Sequence, residues 1–121
     1  FRIEGDFAHM RVRSVPKSEC YVPLVEIARD QPVFEFDDIR GTLAGFFTPD
    51  FMASVSVPGM HLHFLSDDLT HGGHLLSCRP KGVRVGLQAL HTVELALPTT
   101  SYYLNWDFSR DVRQDLNLAE K

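Results

Sequence analysis

Short alternating apolar and polar runs, broken by Pro, Gly and Asp clusters, dominate the chain. Residues 1–13 alternate loosely through Phe1, Ile3 and Phe7 and stop before Val15-Pro16. The stretch 22–30 (VPLVEIARD) has the spacing of a short helix, with Leu24, Ile27 and Ala28 on one side. Two short strands are predicted at 33–36 and 41–47, the second closed by Thr48-Pro49-Asp50. Residues 52–57 alternate again and end at Pro58-Gly59. A strand at 60–65, a polar turn at 66–73 and a return strand at 74–78 follow. Residues 79–82 (Arg-Pro-Lys-Gly) read as a turn. Residues 83–97 form a long β-rich stretch, bent near Gly86 or broken around His91. The tail 109–121 is predicted helical, with Ser109 as N-cap and Val112, Leu116 and Leu118 on a weak apolar side. Many short strands at turn-punctuated intervals imply a mainly β fold, a mixed β-barrel or closed sheet with one or two short helices.

Size and composition narrow this picture. A chain of 121 residues fits one domain with one core, and 44% apolar against 23% charged residues is enough to form that core without staples. The formal charge of −4 is spread along the sequence with no basic stripe, which argues against a nucleic-acid partner. No apolar run is long enough to span a bilayer as a helix, so no membrane partner is expected. Cys20 and Cys78 are the only cysteines. They are expected to be free thiols, because a domain of this size does not need a bridge. Phe1, Ile3, Gly5 and Phe7 read as a strand already under way, so the chain is expected to be part of a longer protein.

The chemistry concentrates in Pro58-Gly59-Met60-His61-Leu62-His63-Phe64-Leu65-Ser66-Asp67-Asp68-Leu69-Thr70-His71-Gly72-Gly73-His74. In a strand, side chains at i and i+2 share a face, so His61 and His63 aim together while Leu62 and Phe64 face the other way. A return strand after the turn can bring His74 beside them, with Gly72-Gly73 allowing the backbones to approach closely. Three imidazoles with a fourth position open are the ligand set of a catalytic zinc, although cobalt, manganese or iron suits the same nitrogens. A His-x-His pair alone is weak evidence, since a strand face carries histidines by chance. The third histidine across one turn makes the pattern more specific. His71 is a rival third ligand, and His9 and His91 read as ordinary residues. Asp67 and Asp68 are either ligands, partners that orient an imidazole, or turn-forming residues, the last being the commonest role for such a pair.

These residues resemble the α-acetolactate decarboxylase family. The resemblance is carried by Arg13-Ser14-Val15-Pro16, Gln31-Pro32-Val33-Phe34-Glu35-Phe36, Gly41-Thr42-Leu43-Ala44-Gly45-Phe46, Pro49-Asp50-Phe51, the stretch from Val57 to Asp68, and Gly72-Gly73-His74, in consistent order along almost the whole chain. It implies that residues 1–121 are one metal-binding β domain, the C-terminal part of a longer two-domain protein. It also implies that His61, His63 and His74 hold Zn2+, that Arg13 lies near the metal, and that a glutamate near the C-terminus, matched here by Glu120, folds back to the site. The implied reaction is decarboxylation of 2-acetolactate (2-hydroxy-2-methyl-3-oxobutanoate) to acetoin and carbon dioxide. In it, zinc accepts the charge of an enediolate, Glu120 moves a proton, and Arg13 binds the carboxylate or the enediolate oxygen. The implied partners are a small 2-hydroxy-3-oxo acid as substrate and a second copy in a homodimer. A further active-site glutamate belongs to the family's N-terminal domain and has no counterpart here, which leaves the activity of this chain by itself open. The turn also departs from the family: it reads Leu69-Thr70-His71 where basic and small residues are usual. Relatives occur both inside cells and secreted, so the compartment stays open, cytoplasmic or secreted.

Two other readings remain at this level. A cupin-like metalloenzyme shares a glycine before His-x-His and an acid after it, but it would use a glutamate where only Asp67 and Asp68 stand. A non-catalytic metal-binding fragment would carry the same histidines without turnover.

Overall fold

The computed structural model describes residues 1–17, 19, 26, 27, 31–107 and 109. Four strands carry the fold: β1 (Arg2–Arg13), β2 (Val33–Thr48), β3 (Gly59–Ser66) and β4 (Gly72–Gly86). All pairings are antiparallel, and β1 pairs with both β2 and β4 while β3 bridges the other two, so the sheet closes on itself. A 3-10 turn at Asp50–Met52 and a short helix, α1 (Ser101–Leu104), are further regular elements. The fold is thus mainly β with a closed sheet, as the alternation implies.

Closure works because each strand lends its inward residues to one core. Phe7, Met10 and Val12 of β1, Leu43 of β2, and Leu62 and Phe64 of β3 are buried together. Phe7 and Phe64 meet edge to face, with ring centroids 5.8 Å apart, an arrangement that adds to the area-based stabilisation of aromatic burial. Ile3, Phe36, Ile39, Leu75, Cys78 and Val83 pack around this cluster. Cys78 is a free thiol, and burial pushes it above the usual thiol range. Cys20 lies outside the described residues.

Several elements differ from the pattern-based expectation. The strands expected at 33–36 and 41–47 are one continuous strand, β2. The polar residues between them stay in the ladder because they meet polar or charged partners on β1 and β4, Asp38 with Lys81 of β4 among them. Asp37 pairs with His9, Arg40 with Asp6, and Glu35 with Arg11, and these are also register partners. Cross-strand ion pairs replace apolar contacts as the local stabilisation. The turn expected at 79–82 lies inside β4, where Pro80 pairs with Phe7 next to a register shift. Proline is tolerated there because a bulge spares its missing N–H. β4 then ends at Gly86, and 87–100 carry no regular structure, so the long β stretch to residue 97 is not formed. Residues 52–57 are a compact turn rather than a strand, with the amides of Val55 and Ser56 both donating to the Met52 carbonyl. Glu26 and Ile27 are helical, and the rest of the helix expected at 22–30 lies outside the described residues. The tail helix expected at 109–121 lies outside them too, apart from Ser109. α1 was not anticipated. Its cap is Thr100, whose side chain accepts from the Tyr103 amide at 3.3 Å.

Candidate metal centre

β3 supplies two histidines through simple alternation. Leu62, Phe64 and Ser66 are buried, which turns His61 and His63 to the outer face of the closed sheet. The tight connection to β4 supplies the third. Ser66 anchors that turn: its amide donates to the His71 carbonyl, its carbonyl accepts from Leu69, and its hydroxyl accepts from the His71 amide. Asp68 closes the turn by accepting from the Ser66 hydroxyl and from the Thr70 amide. Leu69 adopts a positive φ of 61° to complete it. The result is register: His63 stands directly opposite His74, and Phe64 directly opposite Gly73. Gly73 cannot be larger, since an added Cβ would lie 2.6 Å from the Arg13 carbonyl oxygen, and its φ of +156° disfavours other residues. This is the close approach that Gly72-Gly73 leads one to expect.

His61 Nε2 and His63 Nε2 lie 3.1 Å apart. The His74 ring stands nearly perpendicular to both, with centroids 4.8 Å from His61 and 5.2 Å from His63. One ligand nitrogen from each ring falls within 4.8 Å of the others. Two nitrogens bound to one tetrahedral zinc at about 2.0–2.1 Å are roughly 3.3 Å apart, so the spacing and the donor set both suit a divalent ion of this kind. His63 is exposed and the other two are half-buried, which leaves one side of the cluster open.

Arg13 ends β1 directly opposite His74. Opposed residues in an antiparallel pair share a face, so the arginine belongs to the histidine face. It is only 7% exposed. Glu120 lies outside the described residues, so its relation to the cluster is not described. The remaining histidines are elsewhere. His71 stacks on Phe36, with centroids 4.5 Å apart. The His9 ring is 2.8 Å from Asp37. His91 is exposed in the irregular segment. Asp67 meets Arg40 at 3.1 Å and Asp68 serves the turn, so neither joins the three imidazoles. A cleft of about 450 Å³ beside the turn is lined by Phe36, Arg40, Asp67, Asp68 and His71, among others, and not by the triad.

The turn makes a pH prediction. Its hydrogen bonds lower the Asp68 pKa from 3.8 to about 2, the Ser66 hydroxyl contributing most and the Thr70 amide next. A carboxylate depressed on folding stabilises the fold above its ordinary pKa and loses that contribution as pH falls through the folded value. Asp68→Ala is therefore expected to lower the thermal midpoint at pH 5 by a small amount and to match the wild type by about pH 2. Melting curves across that range check it, and a constant gap at every pH would contradict the assignment.

Sequence reasoning did not reach two further residues on this face. Ala44 stands directly opposite His63, and Phe46 directly opposite His61. Strand pairing alone reveals them, because nothing in the local pattern of 41–47 links it to the histidine stretch.

Comparison with known proteins adds to this geometry. The family model described as alpha-acetolactate decarboxylase matches residues 1–110. An alpha-acetolactate decarboxylase of Streptococcus thermophilus is 39% identical over 121 residues, covering 98% of this chain and 51% of its own length. One from Brevibacillus brevis is 34% identical over 120 residues, covering 98% of this chain and 42% of its own length. The crystal structure of alpha-acetolactate decarboxylase from Bacillus subtilis strain 168 matches with a TM-score of 0.80 at 31% identity, over 98% of this chain and 52% of that one. The chain spans about half the length of the curated relatives it matches.

Proposed function

The chain belongs to the α-acetolactate decarboxylase family, and from that premise we propose that it is the metal-binding part of a zinc-dependent enzyme that converts 2-acetolactate to acetoin and carbon dioxide. The observation that carries the reading is the convergence of three imidazole nitrogens on the outer sheet face, with Arg13 in register beside His74. Family membership supports a carboxy-lyase and a small-molecule substrate. Zinc as the metal and the roles of the individual residues belong to the proposal.

His61, His63 and His74 would hold the ion, which supplies Lewis-acid stabilisation of negative charge developing on substrate oxygen. Arg13 binds the substrate carboxylate. A guanidinium presents a planar fork to a carboxylate, so it fixes which C–C bond lies across from the carbonyl that receives the electrons. Glu120 is assigned the proton that the new carbon centre needs once carbon dioxide has left, held at its carboxyl oxygen and delivered directly or through one water. The open side of the histidine cluster is where substrate enters. Because the relatives are about twice as long, we assign the complete reaction to a longer two-domain protein that forms a homodimer. In the cupin-like alternative an acid would join the histidines, whereas Asp67 and Asp68 are engaged by Arg40 and the turn.

The test is acetoin formation by the zinc-loaded two-domain protein that contains this chain, and by its Arg13 variants. Arg13→Ala is expected to lower kcat/KM by about thirtyfold, the size of one charge-assisted hydrogen-bonded contact, and Arg13→Lys to recover part of it. Unchanged turnover in Arg13→Ala would remove the arginine's role. A folded, zinc-bearing wild type that makes no acetoin would favour the non-catalytic reading.

A further inference from the structure

The outer face around the triad is chemically uneven. On one flank β1 places Arg13 opposite His74. On the other, β2 places Ala44 opposite His63 and Phe46 opposite His61. Directly opposed residues have Cβ atoms roughly 4.5–5.5 Å apart and project to the same side. The face therefore runs from a cation, across three imidazoles, to a methyl group and a phenyl ring. The core lies on the opposite side of these strands and makes no use of either residue. Phe46 is 64% exposed and Ala44 is exposed as well. A phenyl ring on the outer face forgoes the stabilisation that burial would give it. Beside a polar cluster, such a ring can offer apolar contact to a small ligand held there.

From this arrangement we infer that Phe46 and Ala44 form the specificity-determining wall of the site, receiving the alkyl substituent of a 2-hydroxy carboxylic acid whose carboxylate is directed toward Arg13. Ala44 leaves the space that the alkyl group fills, and the Phe46 ring bounds it. The inference rests on the reading that the histidines hold a metal and that Arg13 meets a carboxylate. It goes beyond that reading by fixing which way round the substrate lies and which residues set its size.

The test uses two acids that lack a keto group and so cannot decarboxylate. They are 2-hydroxy-2-methylpropanoate and its homologue with ethyl in place of one methyl, 2-hydroxy-2-methylbutanoate. Each is titrated calorimetrically into the zinc-loaded full chain, and the ratio of ethyl to methyl association constants is read. Phe46→Ala is expected to raise that ratio about fivefold by opening the wall, and Ala44→Leu to lower it by a similar factor, in line with the worth of one methylene in a partly open apolar site. Both positions are outside the core, and circular dichroism confirms the fold of each variant. A ratio that Phe46→Ala leaves within about twofold of wild type overturns the wall, and so does failure of both acids to bind wild type. Acetoin formation by the wild-type two-domain protein is measured alongside. A wild type that makes acetoin while the ratio is unmoved loses the wall and keeps the decarboxylase reading. One that makes no acetoin but whose ratio moves as stated keeps the wall and loses that reading.

Discussion

His63→Ala is expected to lower zinc affinity at least a thousandfold and to abolish acetoin formation, while leaving the thermal midpoint of the zinc-free protein near that of wild type. The scale follows from coordination: loss of an outer-shell partner alone costs about 10- to 100-fold in metal affinity, and here a ligand itself goes. His63 is the exposed member of the cluster. It faces His74 across the β3–β4 ladder, and its Nε2 lies 3.1 Å from that of His61. Without it, two nitrogens remain, too few for a three-ligand site with an open fourth position. Stability is spared because the His63 side chain is exposed on the outer face and contributes nothing to the core. His71→Ala is the matched control. That histidine stacks on Phe36 and lies outside the cluster, so its removal should leave zinc affinity unchanged. Competition titration with a chromogenic chelator reads both variants. Wild-type affinity in His63→Ala, or an equal loss in His71→Ala, would sink the assignment of the triad.

Gly45→Ala carries the second large effect, and it acts through the backbone. Gly45 faces Leu62 on β3. A Cβ added there would overlap the carbonyl oxygen of His61 and approach Leu62 Cα to 3.0 Å, so the obstacle is main chain that no rotamer change can move aside. Relief requires β3 to separate from β2 at the point where β3 presents His61. The expected loss is about 3 kcal/mol, at the upper end of the range for overpacking a close-packed site. For a domain with the usual 5–15 kcal/mol that is a large fraction of the whole. Zinc affinity should fall as well, since His61 would move relative to His63 and His74. Gly82→Ala provides the comparison: a Cβ there meets nothing within 4 Å, so only a few tenths of a kcal/mol are expected. Urea denaturation of the two variants tests this. Equal midpoints would show that the β2–β3 contact yields more easily than the geometry implies.

Legibility in the sequence varied by element, for identifiable reasons. β3 could be read almost to the residue, because Leu62 and Phe64 alternate with His61 and His63 and Pro58-Gly59 precedes them. The sequence pattern divides β2 into two pieces because its middle, Asp37-Asp38-Ile39-Arg40, lacks an apolar alternation. What holds it in the sheet is the contact of Arg40 with Asp6 and of Asp37 with His9, both on β1 some thirty residues earlier. The turn at Arg79-Pro80-Lys81-Gly82 looked decisive locally, yet β1 accepts it as a bulged part of β4. The stretch beyond Gly86 shows the converse: its alternating pattern pairs with no strand among the described residues, and it is not a strand.

What the sequence determined by itself was every local period: which side chains of a strand share a face, where turns can form, and that two histidines aim together with a third one turn away. Those properties follow from the two-residue repeat of extended chain and the conformational limits of Gly and Pro. What only the tertiary structure decided was pairing. Closure of the sheet, His74 opposite His63, Arg13 beside His74, and Phe46 and Ala44 on the same face all depend on the register between paired strands. Register is set by a shared core and by cross-strand contacts that exist only after the chain has folded, and a one-residue slip would turn each of these side chains to the other side.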